Sequence, residues 1–171
     1  KILAIIILLL LSALSSGSET ALTAVSKQRA HRQKDKGAKN ANFILKIKEF
    51  KDEFITGILL ANNLFNILAT ALMTELLVSE FGGLGVSVAT IFMTLMIVIF
   101  SEVTPKIFAI NKPMTFALKV SKFFYFYTKL IKPIVNLINK VSNKIIKLIG
   151  LNLNSDQSKI IEEEFEGAVQ L

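Results

Sequence analysis

Three apolar segments dominate the chain, and each is long enough to cross a bilayer as a helix. They run over about 2–26, 54–78 and 84–110, whereas a hydrocarbon core of about 30 Å needs roughly 20 helical residues. Hydrophobic residues make up 52% of the 171 residues, which excludes an intrinsically disordered chain. There is no cysteine and a single histidine, which excludes thiolate metal sites and cysteine nucleophiles. The pattern predicts an all-α membrane protein with three transmembrane helices.

The first apolar segment has two interpretations. Lys1, the apolar run after it and the serine- and glycine-rich stretch at 15–18 resemble a secretory signal peptide. However, apolar residues continue past Glu19 to Val25, and a basic segment follows. A basic segment in that position is typical of the flank that stops translocation of a membrane span. The sequence therefore favours a span and leaves a signal peptide as the alternative.

The basic residues predict the orientation of the spans. Nine lysines and arginines lie in 27–51 and nine in 106–147, whereas the connection at 79–85 has none. Because cytoplasmic loops carry the positive excess, we expect a multi-pass cell-membrane protein with its N-terminus outside and its C-terminus in the cytoplasm. This topology accounts for the net charge of +7 without a nucleic-acid partner, and we expect none.

The segment 113–150 has an amphipathic pattern. Its lysines fall within an arc of roughly 120–140° on a helical wheel, and Pro133 predicts two helices or one kinked helix. Such a helix is typical of the bilayer interface, where it contacts anionic lipids; the alternative is a fourth span with snorkelling lysines. We predict amphipathic juxtamembrane helices on the cytoplasmic side. The lysine stripe consists of Lys119, Lys122, Lys129, Lys132, Lys140, Lys144 and Lys147.

Polar residues occur in all three spans, at 15–20, 62–66 and 101–106. Polar groups in a span are expensive, so they are functional candidates. At a rise of about 1.5 Å per residue, the three groups reach a similar depth near the middle of the bilayer. Carboxylate, amide and hydroxyl oxygens are the ligands of hard cations such as Mg²⁺ and Ca²⁺, and Gly17 and Pro105 allow helix carbonyls to be freed.

Each polar group also has a purely structural interpretation. The small residues at 16–18 could serve close helix packing. Asn62 and Asn66 could hydrogen-bond neighbouring helices. Glu102 and Lys106 are four residues apart, so they could form a local ion pair. The sequence leaves these alternatives open.

Three motifs resemble a known family. Leu11-Ser-Ala-Leu-Ser-Ser-Gly-Ser-Glu-Thr-Ala21, Ala61-Asn-Asn-Leu-Phe-Asn-Ile-Leu-Ala69 and Ser101-Glu-Val-Thr-Pro-Lys106 are similar in order and spacing to the transmembrane domain of the CNNM/CorC magnesium transporters. The chain departs from the family at Ala61 and Ser101, where glycine is usual. The resemblance implies a transmembrane domain over 1–150, followed by an acidic linker at 151–171 toward a cytosolic nucleotide-binding module.

The resemblance also implies a function. A CNNM/CorC domain is expected to be a homodimer that exports Mg²⁺, coupled to Na⁺ entry, by alternating access through a mid-membrane site. The alternative is a membrane sensor or scaffold that transports nothing and anchors the cytosolic module. An enzyme is not expected, because no nucleophile–base pair or cofactor loop is visible. The metal-binding residues carried over by position, with the acids expected to add negative charge, are Ser16, Gly17, Ser18, Glu19, Asn62, Asn66 and Glu102.

Overall fold

The computed structural model describes residues 1–149, and helices form nearly all of this part of the chain. The helices are α1 (Ile2–Ala24), α2 (Lys27–Asp35), α3 (Ala41–Glu49), α4 (Lys51–Phe81), α5 (Leu84–Met96), a π-helical segment (Ile97–Val103), α6 (Thr104–Asn111) and α7 (Pro113–Leu148). No strand occurs within residues 1–149. Three helical stretches are long and apolar enough to cross a membrane: α1, α4 and the continuous stretch Leu84–Asn111. The predicted all-α membrane fold with three spans is confirmed.

The turn between α4 and α5 is tight because it depends on glycine. Gly82 ends α4 with a φ of +58°, a conformation that glycine adopts without steric cost. A Cβ at Gly85 would lie 2.6 Å from the backbone nitrogen of Val78 and would also overlap the Leu77 carbonyl. Only a residue without a side chain therefore lets α5 start this close to the end of α4.

The third span is not a uniform α-helix. Pro105 has no N–H, so it cannot donate to the carbonyl of Ser101, four residues earlier. The backbone widens into a π-helix over Ile97–Val103, and π-helical turns inside α-helices are frequent at functional sites. The sequence analysis predicted that Pro105 would disturb the helix here, and the structure shows the disturbance as a π-helical segment.

Two apolar clusters hold the three spans together, one at each end. We call the end where α1 ends and α4 begins the basic end, and the opposite end the Gly82 end. At the Gly82 end, the buried residues are Ile5, Leu9, Ala69 and Met93. At the basic end, a larger cluster gathers side chains from six helices; it includes Leu22, Ala30, Ile44, Phe54, Ala109 and Phe124. The spans thus run side by side, with α4 antiparallel to α1 and to the third span.

The basic segment 27–51 contains two short helices that the sequence analysis treated as a loop. The Ser26 hydroxyl accepts a hydrogen bond from the backbone N–H of Arg29 and caps α2. In α3, Ile44 and Ile47 are fully buried, and Lys48 donates to the Thr23 carbonyl at the end of α1. Burial and the nearby Lys51 and Lys27 lower the pKa of Lys48. The segment 27–51 is therefore packed against the C-terminal end of α1.

The first part of α7 packs onto the basic end. Ala117, Val120 and Phe124 belong to the basic-end cluster, and the Tyr127 hydroxyl donates to the Gly57 carbonyl of α4 at 3.2 Å. The helix continues through Pro133 to Leu148. The chain divides at Pro133 into two compact units, 1–132 and the part from Pro133 onward. The interfacial position of this helix stays a prediction, and the acidic segment at 151–171 lies outside the described residues.

Candidate cation site

A layer of buried polar residues separates the two apolar clusters. Between Leu9 and Ala21, the residues that α1 buries are serines and one glycine. Asn62 of α4 and Ser101 of the π-helical segment are buried as well. The Ser101 hydroxyl donates to the Leu9 carbonyl at 3.1 Å, which ties the third span to α1. All three spans therefore contribute to one polar layer, which is at Ser12, Ser15, Ser16, Gly17, Ser18, Asn62 and Ser101.

Three side-chain oxygens from two spans meet at Ser12. Its hydroxyl oxygen lies 2.7 Å from Asn66 Oδ1 and within hydrogen-bonding distance of Asn62 Oδ1. A hydroxyl has one proton, so it can donate to only one amide oxygen at a time. The other amide oxygen faces an oxygen without a proton between them. A cation bound among the three oxygens, or a rotated amide group, removes this conflict.

Ser16 lies one helical turn after Ser12 on the same side of α1. It is 1% exposed, and its hydroxyl has no hydrogen-bond partner among residues 1–149. Four residues of α-helix separate the two serines by about 6 Å along the axis. An unpaired buried hydroxyl is uncommon and costly. Its position beside Ser12 extends the set of oxygens toward the basic end.

Gly17 allows close contact between spans without unwinding α1. The helix is continuous through this position, contrary to the expectation that glycine would loosen it. A Cβ here would lie 2.9 Å from Cζ of Phe116 and 3.3 Å from the Pro105 carbonyl oxygen. The next residue, Ser18, is buried and donates to the Leu14 carbonyl of its own helix. Small residues thus bring α1 against the third span.

The acidic candidates lie together at the edge of the polar layer. Glu102 and Lys106 form an ion pair with a Nζ–Oε2 distance of 3.8 Å, and each is about 40% exposed. Glu19 is partly buried and lies within electrostatic range of both. The local ion pair considered from the sequence is thus present. Among residues 1–149, no group of three or more His, Cys, Asp or Glu side chains could hold a metal.

A second polar feature follows α4 from the polar layer toward the Gly82 end. Asn66, Thr70, Thr74 and Glu75 line an open groove of about 720 Å³. Thr70 donates to the Asn66 carbonyl and Thr74 to the Thr70 carbonyl, both at 2.8 Å. Glu75 forms an ion pair with Lys1 at 2.8 Å. The threonine hydroxyls are therefore satisfied within their own helix.

Sequence reasoning missed Ser12 as a candidate. Ser12 is the residue that contacts both asparagines, whereas the sequence analysis selected the serines at 16 and 18. The signal was present, because Ser12 precedes Ser16 by four residues and therefore shares its helix face. The sequence alone, however, does not show which turn of α1 faces Asn62 and Asn66 of α4.

Nearly all of the chain matches one protein family. Residues 3–171 match the family model described as the cyclin M transmembrane N-terminal domain. The chain belongs to the cyclin M family. The predicted resemblance is confirmed, and the three apolar helices are the transmembrane part of a cyclin M protein.

Bacterial relatives of this cyclin M domain are longer proteins. A UPF0053 protein of Haemophilus influenzae is 33% identical over 165 residues, which cover 96% of this chain and 39% of that protein. The UPF0053 inner membrane protein YfjD of Escherichia coli is 31% identical, over 90% of this chain and 36% of that protein. A polyamine export protein of H. influenzae is 26% identical, over 96% and 41%. The cyclin M chain spans about two fifths of these relatives.

Proposed function

We propose that the polar layer binds Mg²⁺ and that the chain exports it, with export coupled to Na⁺ entry. The observation that carries the proposal is the meeting of three oxygens, from Ser12, Asn62 and Asn66, around a single hydroxyl proton. Two further features support it: the unpaired buried hydroxyl of Ser16 and the oxygen-only chemistry of the layer. Oxygen ligands suit hard cations and do not favour zinc or copper.

The site has the composition that a dehydrated Mg²⁺ requires. Mg²⁺ prefers six oxygens near 2.1 Å and gives up water reluctantly, so several oxygens must approach it closely. Ser12 and Ser16 supply hydroxyl oxygens from α1, and Asn62 and Asn66 supply amide oxygens from α4. Ser18 is already bonded to the Leu14 carbonyl, and α1 is continuous through Gly17, so these two residues contribute by close packing. Glu19 and Glu102 provide negative charge at the edge of the layer. Na⁺ has one charge less, so it depends less on these carboxylates.

Transport requires access from one side of the membrane at a time. The polar layer lies between two apolar clusters, and each cluster closes one side. We propose that opening the basic-end cluster admits the ion and that opening the Gly82-end cluster releases it. We also propose that the working unit is a homodimer in the cell membrane, oriented as the basic residues predict.

Polyamines form a second cargo class, because one relative is named a polyamine export protein. A polyamine is an extended polycation and needs carboxylates at separated positions. In this chain Glu19 and Glu102 lie together, with Lys106 offsetting their charge. The compact set of neutral oxygens therefore favours a single small ion over a polyamine.

The decisive experiment measures Mg²⁺ efflux from proteoliposomes with a Mg²⁺-sensitive dye, with Asn62→Ala as the test variant. Removing one oxygen ligand of a charged guest costs about 1.5–3 kcal/mol, so we expect the apparent affinity to fall by about ten- to a hundred-fold. Ser12→Ala should give a loss in the same range. Glu102→Gln should lower affinity for Mg²⁺ more than for Na⁺.

Two matched controls accompany these variants. Asn63→Ala changes the neighbouring residue of α4, which is exposed. Thr90→Ala removes an exposed hydroxyl of the third span, outside the polar layer, that donates to the Val86 carbonyl of its own helix. Both should keep efflux within about two-fold of the parent. If Asn62→Ala and Glu102→Gln transport like the parent while subunit association weakens, the chain is a sensor or scaffold. Competition by spermidine stronger than by Mg²⁺ would favour the polyamine class.

A further inference from the structure

An open groove of about 570 Å³ runs along α7 at the basic end. Lys119 and Lys122 line its first part, and Phe123, Phe126 and Leu130 line the rest. From Lys119 to Leu130 the helix advances about 16 Å. The groove therefore changes from basic to apolar along its length, which is the pattern of an amphiphile with an anionic head.

The basic part of the groove is formed by two exposed lysines, Lys119 and Lys122. Within residues 1–149, no carboxylate lies within 4.0 Å of Lys119 or Lys122, since the ion pairs join other lysines. The backbone beneath them is held firmly: Asn40 Nδ2 donates to the Leu118 carbonyl at 3.0 Å, and the Ser121 hydroxyl donates to the Asn40 carbonyl at 3.2 Å. Two ammonium groups that have no carboxylate partner among the described residues, on a helix held in place by these hydrogen bonds, favour an anion such as a phosphate.

The apolar part of the groove is uncovered. Phe123 is 60% exposed, Phe126 is 54% exposed and Leu130 is 78% exposed. Exposed apolar side chains in a contiguous patch mark an interaction surface. Because these three follow the two lysines on one helix, a single bound molecule can contact both parts.

The groove lies beside the first turns of α4, at the basic end of that span. Tyr127 donates to the carbonyl of Gly57, which is about 9 Å from the start of α4 by helical rise. The rings of Phe124 and Phe54 meet edge to face at 6.4 Å. This part of α7 therefore packs beside the first turns of α4. The interfacial position predicted for α7 would place the groove next to lipid headgroups.

We propose that this groove binds one anionic phospholipid. Lys119 and Lys122 hold the phosphate, and an acyl chain lies along Phe123, Phe126 and Leu130. A membrane lipid fits better than a soluble anion, because a soluble anion leaves the apolar part uncovered. The proposal rests on the membrane fold and not on the transported ion, so it can fail while the proposed function holds.

The test uses the absence of tryptophan from the chain. Leu130→Trp places a single fluorophore in the groove, and vesicles contain brominated phosphatidylglycerol or brominated phosphatidylcholine, whose bromines quench tryptophan on contact. We expect phosphatidylglycerol to be preferred over phosphatidylcholine by about ten-fold or more, since each lysine near an anionic headgroup contributes about five-fold. Lys119→Gln/Lys122→Gln should bring the ratio close to one, and raised salt should weaken it.

Two comparisons make the result specific. Lys34→Gln/Lys36→Gln removes the same charge from exposed residues of the same end and should leave the preference unchanged, and Lys119→Arg/Lys122→Arg should retain it. Equal quenching by the two lipids in the parent overturns the proposal, and so does an equal loss in the Lys34/Lys36 control. Competition by millimolar inorganic phosphate, or protection of the tryptophan only by an acidic cytosolic protein, would likewise replace the lipid with another occupant.

Discussion

At the residue scale, a serine hydroxyl bonds either within its own helix or to another span, depending on its position along the helix. Ser15 and Ser18 bond to carbonyls of α1 itself, whereas Ser12 and Ser101 bond across to another span. The sequence analysis selected serines in the correct part of α1. The hydrogen-bond partner of each serine, however, depends on the rotation and the depth of its helix. Neither quantity is set by composition, so Ser12 was not distinguished from its neighbours.

Gly17→Ala tests the close contact of α1 with Phe116 of α7 and with Pro105 of the third span. The added methyl group would crowd Cζ of Phe116 and the Pro105 carbonyl, at a cost of about 1–3 kcal/mol, against a gain in helix propensity of up to about 1 kcal/mol. We expect a net loss of stability, measured as thermal unfolding in detergent.

Phe116→Leu should relieve part of that loss, because it removes the ring tip that the methyl group meets. A double-mutant cycle should therefore give a coupling energy of about 0.5–2 kcal/mol. Gly83→Ala is the control, since no atom lies within 4 Å of its Cβ position and its φ is −59°. A coupling energy of zero would mean that Gly17 is not held against Phe116.

At the element scale, the three spans followed directly from their apolar length, but the helices at the basic end did not. The sequence analysis treated 27–51 as a loop, because nine basic residues suggested a solvated segment. The structure uses the apolar residues between those lysines, such as Ile44 and Ile47, to cover the end of α1. Likewise Phe124 of the amphipathic segment is buried in the same cluster. These are tertiary contacts, which periodicity alone does not reveal.

Tyr127→Phe tests the link between α7 and α4. The variant loses the hydrogen bond to the Gly57 carbonyl, so we expect a loss of about 1 kcal/mol at neutral pH. Burial raises the pKa of Tyr127 above its ordinary value, which is about 10. The unfolded chain then releases this proton at lower pH than the folded chain.

The stabilising effect of Tyr127 is therefore complete below about pH 10 and declines as pH rises through the raised pKa. Urea unfolding at stepwise alkaline pH should show the parent and Tyr127→Phe converging. Tyr125→Phe is the control, since the Tyr125 hydroxyl has no hydrogen bond within residues 1–149. A difference that stays constant or widens with pH would contradict this assignment.

At the scale of the whole molecule, the sequence predicted the number of spans and the family. It also predicted that polar groups from all three spans reach one depth, and the buried layer contains residues of all three. The exact oxygens that meet, and the orientation across the bilayer, depend on packing and on insertion. The orientation stays a prediction.

The absence of cysteine makes the orientation directly measurable. Ser79→Cys lies in the last turn of α4, near the Gly82 end. Lys36→Cys lies directly after α2 at the basic end, and both positions are exposed. We expect a membrane-impermeant maleimide to label Ser79→Cys in intact cells and to label Lys36→Cys only after permeabilisation, as the positive-inside rule predicts. Labelling in the opposite order would reverse the topology and, with it, the proposed direction of transport.

The threonines of α4 have a mechanical consequence. Because Thr70 and Thr74 bond to carbonyls of their own helix, those bonds travel with α4 when it turns about its long axis. In the middle of the span, this rotation would break the hydrogen bonds that Ser12 makes with Asn62 and Asn66. The energy barrier to rotation of α4 is then set mainly by side-chain packing and by any ion bound beside Asn62.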